Sequence, residues 1–212
     1  MANSRNDYLF LAVEREMNGI RFGSLLGSGL LLLSGANPAR ALPGQTTKEV
    51  AAWMQANPTL RPSRGEKFLV TKSSTAAQRF TFEASLLSPG RIRQSPNAGI
   101  IRSERLMLFD MQNGVTQERL KESLRAIYGL EVSQDFDRAQ VVYAYPSEVT
   151  IQQAIAQNNP LLASLQGELR RGSRYAYWLE IAQTPEGLAY AGRITLLLRN
   201  DVDLLEAEIR NR

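Results

Sequence analysis

The stretch SRYAYWLEIAQTPEGLAYAGRITLLLR, residues 173–199, reads as two long strands joined by the turn Thr184-Pro185-Glu186-Gly187. Proline presets the backbone for the first half of such a turn and glycine takes the conformation that other residues avoid in the second. Runs of β-branched and aromatic residues on either side of turn chemistry are the sequence signature of a hairpin. This hairpin makes the domain one built on an antiparallel sheet.

Working toward the N-terminus, Ser147 opens a helix through Ile151 and Ile155, and Asn158-Asn159-Pro160 interrupts it. Pro160 suits the first position of a second helix, carried by Leu161, Leu165 and Leu169 to a stop at Gly172. Arg138 to Tyr145 alternates as a strand that Pro146 ends. Thr116 caps a helix with Leu120, Leu124 and Ile127 on one face, Val115 stapled to Leu120 and Gly129 closing it. Ile100 to Phe109 is a strand whose second half is apolar on both faces, as expected near the middle of a covered sheet. Lys67 to Thr71 and Gln78 to Leu87 form an earlier hairpin around a polar loop, Ser73 to Ala77. Thr46 with Glu49 is a capping box for a helix bearing Val50, Trp53 and Met54, which Pro58 stops. At the C-terminal end, Asn200 or Asp201 caps a last helix carrying Val202, Leu205 and Ile209. The order α-β-β-β-α-β-α-α-β-β-α predicts an α+β domain, with an antiparallel sheet of about five to six strands and helices packed mainly on one face. Pro89 to Gly99 is the longest irregular stretch and the best place for a mobile functional loop.

Residues 1–41 read as an address. Phe22 to Ala36 is a leucine-rich run of 15 residues behind Arg21, and Ala39-Arg40-Ala41 supplies a small-x-small cleavage site. The run falls short of the roughly 20 apolar residues that cross a bilayer as a stable helix, so no permanent transmembrane anchor is expected after cleavage. Met17 begins a more compact leader than Met1. The remaining domain, 42–212, would start at Leu42. The alternative is that the run is a buried helix of the folded protein.

Composition excludes more than it identifies. The 212 residues are 43% hydrophobic, enough for a core, and carry 25 basic and 21 acidic side chains. The signs are interspersed, and four bases and three acids lie within 1–41, so the domain itself holds +3. That balance suits a solvated surface and not a nucleic-acid platform. With no cysteine there are no disulfides, thiolate nucleophiles or thiolate-held clusters. With no histidine there is no Ser-His-Asp triad and no imidazole ligand. Phosphate-cradling glycine motifs are missing, and no S-x-x-K follows residue 41. The spaced pairs Asp135/Asp137 and Asp201/Asp203 lack the rest of a calcium loop. No cofactor, metal or catalytic residue is assigned.

Two features keep function open. Glu83, Glu104 and Glu180 lie within strands, either on a solvent face or facing a cleft where two carboxylates would hydrolyse a bond. Tyr175, Tyr177, Trp178 and Tyr190, with Arg170, Arg171 and Arg174, gather residue types enriched at interfaces around the terminal hairpin, although such rings also serve cross-strand packing. Leu42-Pro43-Gly44-Gln45, the stretch IIRSERLMLFDM at 100–111 and GSRYAYWLE at 172–180 resemble uncharacterised exported proteins of cyanobacteria. That resemblance implies the periplasm or the thylakoid lumen. The expectation is an exported, non-enzymatic accessory protein whose terminal hairpin meets a protein or membrane-complex partner. A small-ligand carrier or a carboxylate-dependent hydrolase of envelope material is the alternative.

Overall fold

A computed structural model describes residues 42–90 and 99–211. The expected leader and most of the irregular stretch Pro89 to Gly99 lie outside the described residues. The fold is α+β. Seven strands form one antiparallel sheet: β1 (Leu69–Thr75), β2 (Gln78–Ser85), β3 (Ser103–Asp110), β4 (Gln140–Tyr145), β5 (Leu165–Arg171), β6 (Tyr175–Gln183) and β7 (Ala189–Leu198). Their order across the sheet is β1-β2-β3-β7-β6-β5-β4. The β6–β7 hairpin therefore sits centrally, with β7 paired to β3 and β6 to β5.

Helices α1 (Thr47–Ala56), α2 (Gln117–Tyr128) and α3 (Leu130–Arg138) cover one face, called here the front. Val50 and Met54 of α1, Leu120, Leu124 and Tyr128 of α2, and Val132 and Phe136 of α3 pack there on Phe82, Leu106, Leu179, Ile194 and Leu196. Side chains alternate across a strand, so the odd and even members of β6 part company. Tyr177 and Leu179 enter the front core. Trp178 enters the smaller back core with Leu169, Leu197 and Val202, Leu205 and Ile209 of α5 (Val202–Arg210). Helix α4 (Glu148–Ala156) and a 3-10 turn (Pro160–Ala163) form an arm between β4 and β5, in which Ala154 is the buried residue of α4.

Most helix caps stand where the sequence places them, but the expected cap of the last helix by Asn200 or Asp201 does not form. Thr46 and Glu49 exchange both bonds of the capping box, Thr116 accepts from the Arg119 amide, and Gly129 closes α2 at a φ of 81°. Asp201 stands at the N-terminus of α5 but does not cap it. Its carboxylate accepts from Ser88 and pairs with Arg102, tying the chain after β2 to the start of α5.

Three expectations are corrected. Residues 160–172 are not a second helix: the 3-10 turn stops at Ala163 and β5 follows. The four-residue spacing of Leu161, Leu165 and Leu169 fits a helix turn, but it also returns a strand to the same face, so periodicity alone does not separate the two. Counting β5 raises the sheet from six strands to seven. Residues 130–138, unassigned from sequence, form α3 directly after Gly129. The polar loop at 73–77 is shorter than expected, because Ser73 to Thr75 continue β1 before the chain turns.

Candidate functional site

The back face holds a groove at the β4–β5 end of the sheet. An irregularity in the β4–β5 register between Val141 and Tyr143 sets Tyr143 opposite Leu169 and Tyr145 opposite Gly167, so both tyrosines lie on this face. Pro146, joined to Tyr145 by a cis peptide bond, turns the chain out, and Ser147 caps α4 through the Thr150 amide. The 3-10 turn returns Leu162 to the groove and β5 begins with Leu165. Ile209 closes it from the last turn of α5. The cavity holds about 230 Å³ and is lined by these residues. Leu162 and Leu165 are 44% and 45% exposed, and the neighbouring Leu161 is exposed too.

A polar row braces the tyrosines from beneath. Cross-strand neighbours Tyr145, Gly167, Glu180 and Arg193 stand side by side on β4, β5, β6 and β7. Gly167 has no side chain, and the Tyr145 ring occupies that space: a Cβ there would lie 2.4 Å from it. Tyr145 thus reaches across β5 and donates to Glu180, which also pairs with Arg193. The Trp178 indole donates to the Tyr145 hydroxyl at 2.9 Å, and the Arg193 guanidinium lies 4.6 Å over the Trp178 ring. Burial and the bond to Glu180 push the Tyr145 hydroxyl well above its ordinary range. Held by these two partners, the hydroxyl braces the groove. On the open side, Arg210 stacks 4.1 Å over Tyr143, whose ring centre is 5.9 Å from that of Tyr145. The result is a fixed aromatic wall facing exposed leucines, with Ser147 and Thr150 at the rim.

The interface set read from sequence does not form one surface. Tyr177 is buried in the front core, where its hydroxyl donates to Asp135 at 2.7 Å, and Trp178 is buried on the back. Arg170 pairs with Glu168 and stacks on Phe136 of α3, whereas Arg171, on the other face, pairs with Asp203. Arg174 sits in the β5–β6 turn beside Glu131 and Tyr175, and Tyr190 is half-buried at the far end of the hairpin from Tyr175. Of that set, Trp178 alone touches the groove's bracing row. Tyr143, Tyr145, Leu162, Leu165 and Ile209 were missed as a group, since each reads as an ordinary periodic position until β4, the arm and α5 meet.

The strand glutamates also separate. Glu83 is partly exposed and pairs with Arg105 on the back face. Glu180 is consumed by Tyr145 and Arg193. Glu104, 1% exposed, lies in the front core between Ala84 and Leu196. Its Oε2 accepts from the Tyr128 hydroxyl at 2.6 Å, and Oε1 has no hydrogen-bond partner among the described residues. Burial pushes this carboxyl up to about 7, more than the Tyr128 bond draws it down. Glu104 and Glu180 are on opposite faces of the sheet, so they cannot flank one bond. Asp135, from the unanticipated α3, accepts from the Ser173 amide and hydroxyl and from Tyr177; these bonds outweigh its burial and hold it below the usual carboxylate range. Compared with known protein families, with curated proteins and with solved structures, the chain matches none of them.

Proposed function

We propose that this chain is an exported accessory protein of the periplasm or thylakoid lumen that acts by binding a protein partner, and that the partner seats an apolar side chain in the β4–β5 groove. One observation carries the reading: a braced aromatic wall, Tyr143 and Tyr145, faces two leucines left about half exposed around a cavity of about 230 Å³. Exposed apolar side chains grouped around a concavity mark interaction sites more often than scattered ones do. Size favours a side chain over a free ligand, because small-molecule sites run from roughly 300 to 1,000 Å³. The groove supports the carrier alternative less for that reason, and the separated glutamates give the two-carboxylate hydrolase no paired acids.

A peptide-display selection on the immobilised protein tests this. Enriched peptides should share one large apolar residue, and Leu162→Asp or Leu165→Asp should abolish their binding while leaving thermal unfolding unchanged. Peptides that bind both variants as well as the parent protein would refute the groove. Native mass spectrometry showing a co-purified small molecule would shift the reading to a carrier.

A further inference from the structure

The sheet has two edges, and they differ in chemistry. The β1 edge, LVTKSST, carries Lys72, one of the charges by which natural sheets discourage edge pairing. The β4 edge, QVVYAY, has no charge, no proline and no glycine, a composition that favours strand addition. It pairs with β5 on one side, and its other side makes no backbone hydrogen bond among the described residues. Val141 is 45% exposed, and Gln140 and Ala144 are exposed beside it.

The flanking charges point to the occupant. Arg138, exposed just before β4, has no ion-pair partner among the described residues, whereas the adjacent Asp137 is engaged by Lys121 at 2.7 Å, and Glu148, exposed just after the strand, meets Gln152 on its own helix. A strand that runs from a positive to a negative end is complementary to itself when antiparallel and repels itself when parallel. We propose that β4 is a homodimer edge: two copies pair antiparallel through Gln140–Tyr145, each Arg138 meeting Glu148 of the second copy. The two seven-stranded sheets become one continuous sheet. The interface is isologous, the commonest closed symmetry for identical subunits. The pairing does not rest on the groove reading, since it needs no ligand and uses the strand's edge.

Sedimentation equilibrium of the purified protein over a dilution series reads the association directly. The parent protein should be a reversible dimer, and Val141→Lys with Ala144→Lys should be a folded monomer by circular dichroism. Arg138→Glu should weaken the dimer about tenfold, by replacing two exposed attractions with repulsions. The double variant Arg138→Glu with Glu148→Arg should recover the parent affinity. This charge swap stays informative even if the lysine variant fails to fold. A parent protein that is monomeric at every concentration, or a double variant no better than Arg138→Glu, would overturn the proposal.

Discussion

Gly167 shows how a single missing side chain organises the back face. The Tyr145 ring lies where its Cβ would be, 2.4 Å away, and the hydroxyl beyond it joins Trp178, Glu180 and Arg193. Gly167→Ala should therefore displace Tyr145 and lower stability by about 1–3 kcal/mol, the usual cost of forcing atoms into a packed site. Denaturant unfolding measures the loss, and Trp178 emission should shift as its hydrogen bond breaks; unchanged unfolding and emission would contradict the bracing role. Glu104 sets the second residue-scale expectation. Its carboxyl keeps a proton to about pH 7 in the folded chain, whereas an ordinary glutamate releases it near 4.5. The folded state thus holds the extra proton between those values, so stability falls as pH rises from 4.5 to 7 and levels off above that. The size is of order 3 kcal/mol. Asp110 has the opposite sign: burial raises its carboxyl, but bonds from the Asn113 and Gln112 amides and from Arg119 prevail and hold it at about 2. Its contribution is present above 3.8 and is lost as pH falls toward 2. Stability should peak in mild acid, and Glu104→Gln should flatten the decline from there to neutrality in melts taken across pH. Neither acid is distinguishable in sequence from a solvated strand glutamate or a turn aspartate, because burial is imposed by α2 and Tyr128 from elsewhere in the chain.

Elements were legible where a local signal had one meaning. Thr46 with Glu49, Thr116 with Gly129, and Thr184 to Gly187 each encode a boundary within a few residues, and each boundary is present. The reading failed where a signal had two meanings. Leu161, Leu165 and Leu169 satisfy both periods, and what makes 165–171 a strand is the pairing of Leu169 with Trp178 and of Gly167 with Tyr145 on either side. Segment 130–138 is mostly polar; its stripe of Val132 and Phe136 becomes a helix face by meeting the front of the sheet. The α4 arm is the weakest element by the same logic: it buries Ala154 and leaves Val149 and Ile155 exposed. Few buried contacts mean cheap local opening, so amides of 148–156 should exchange much faster than those of β6 and β7 in hydrogen-exchange mass spectrometry. Equal protection in the arm and the central hairpin would show that something covers the arm.

At the scale of the whole molecule, two cores of unequal size share one sheet. The front core is closed by three helices, and the back core ends at a groove that one helix and the arm leave open. The proposed function uses that asymmetry, its export rests on the reading of residues 1–41, and its compartment rests on the resemblance to exported cyanobacterial proteins. Export with cleavage after Ala41 predicts that protein recovered from the envelope or lumen begins at Leu42 by N-terminal sequencing. Recovery of material beginning at Ala2 would remove the basis for export and leave the groove as the remaining argument.

The sequence by itself determined the α+β class, most helix caps, the central hairpin and the chemistry that a chain without cysteine or histidine cannot perform. These follow from residue identity or from signals closed within one turn of chain. The tertiary structure decided the strand identity of 165–171, the burial of Glu104, the splitting of Tyr177 from Trp178 and the groove of Tyr143, Tyr145, Leu162, Leu165 and Ile209. Each depends on which side of a strand faces which helix, and that is settled by contacts between residues far apart in sequence.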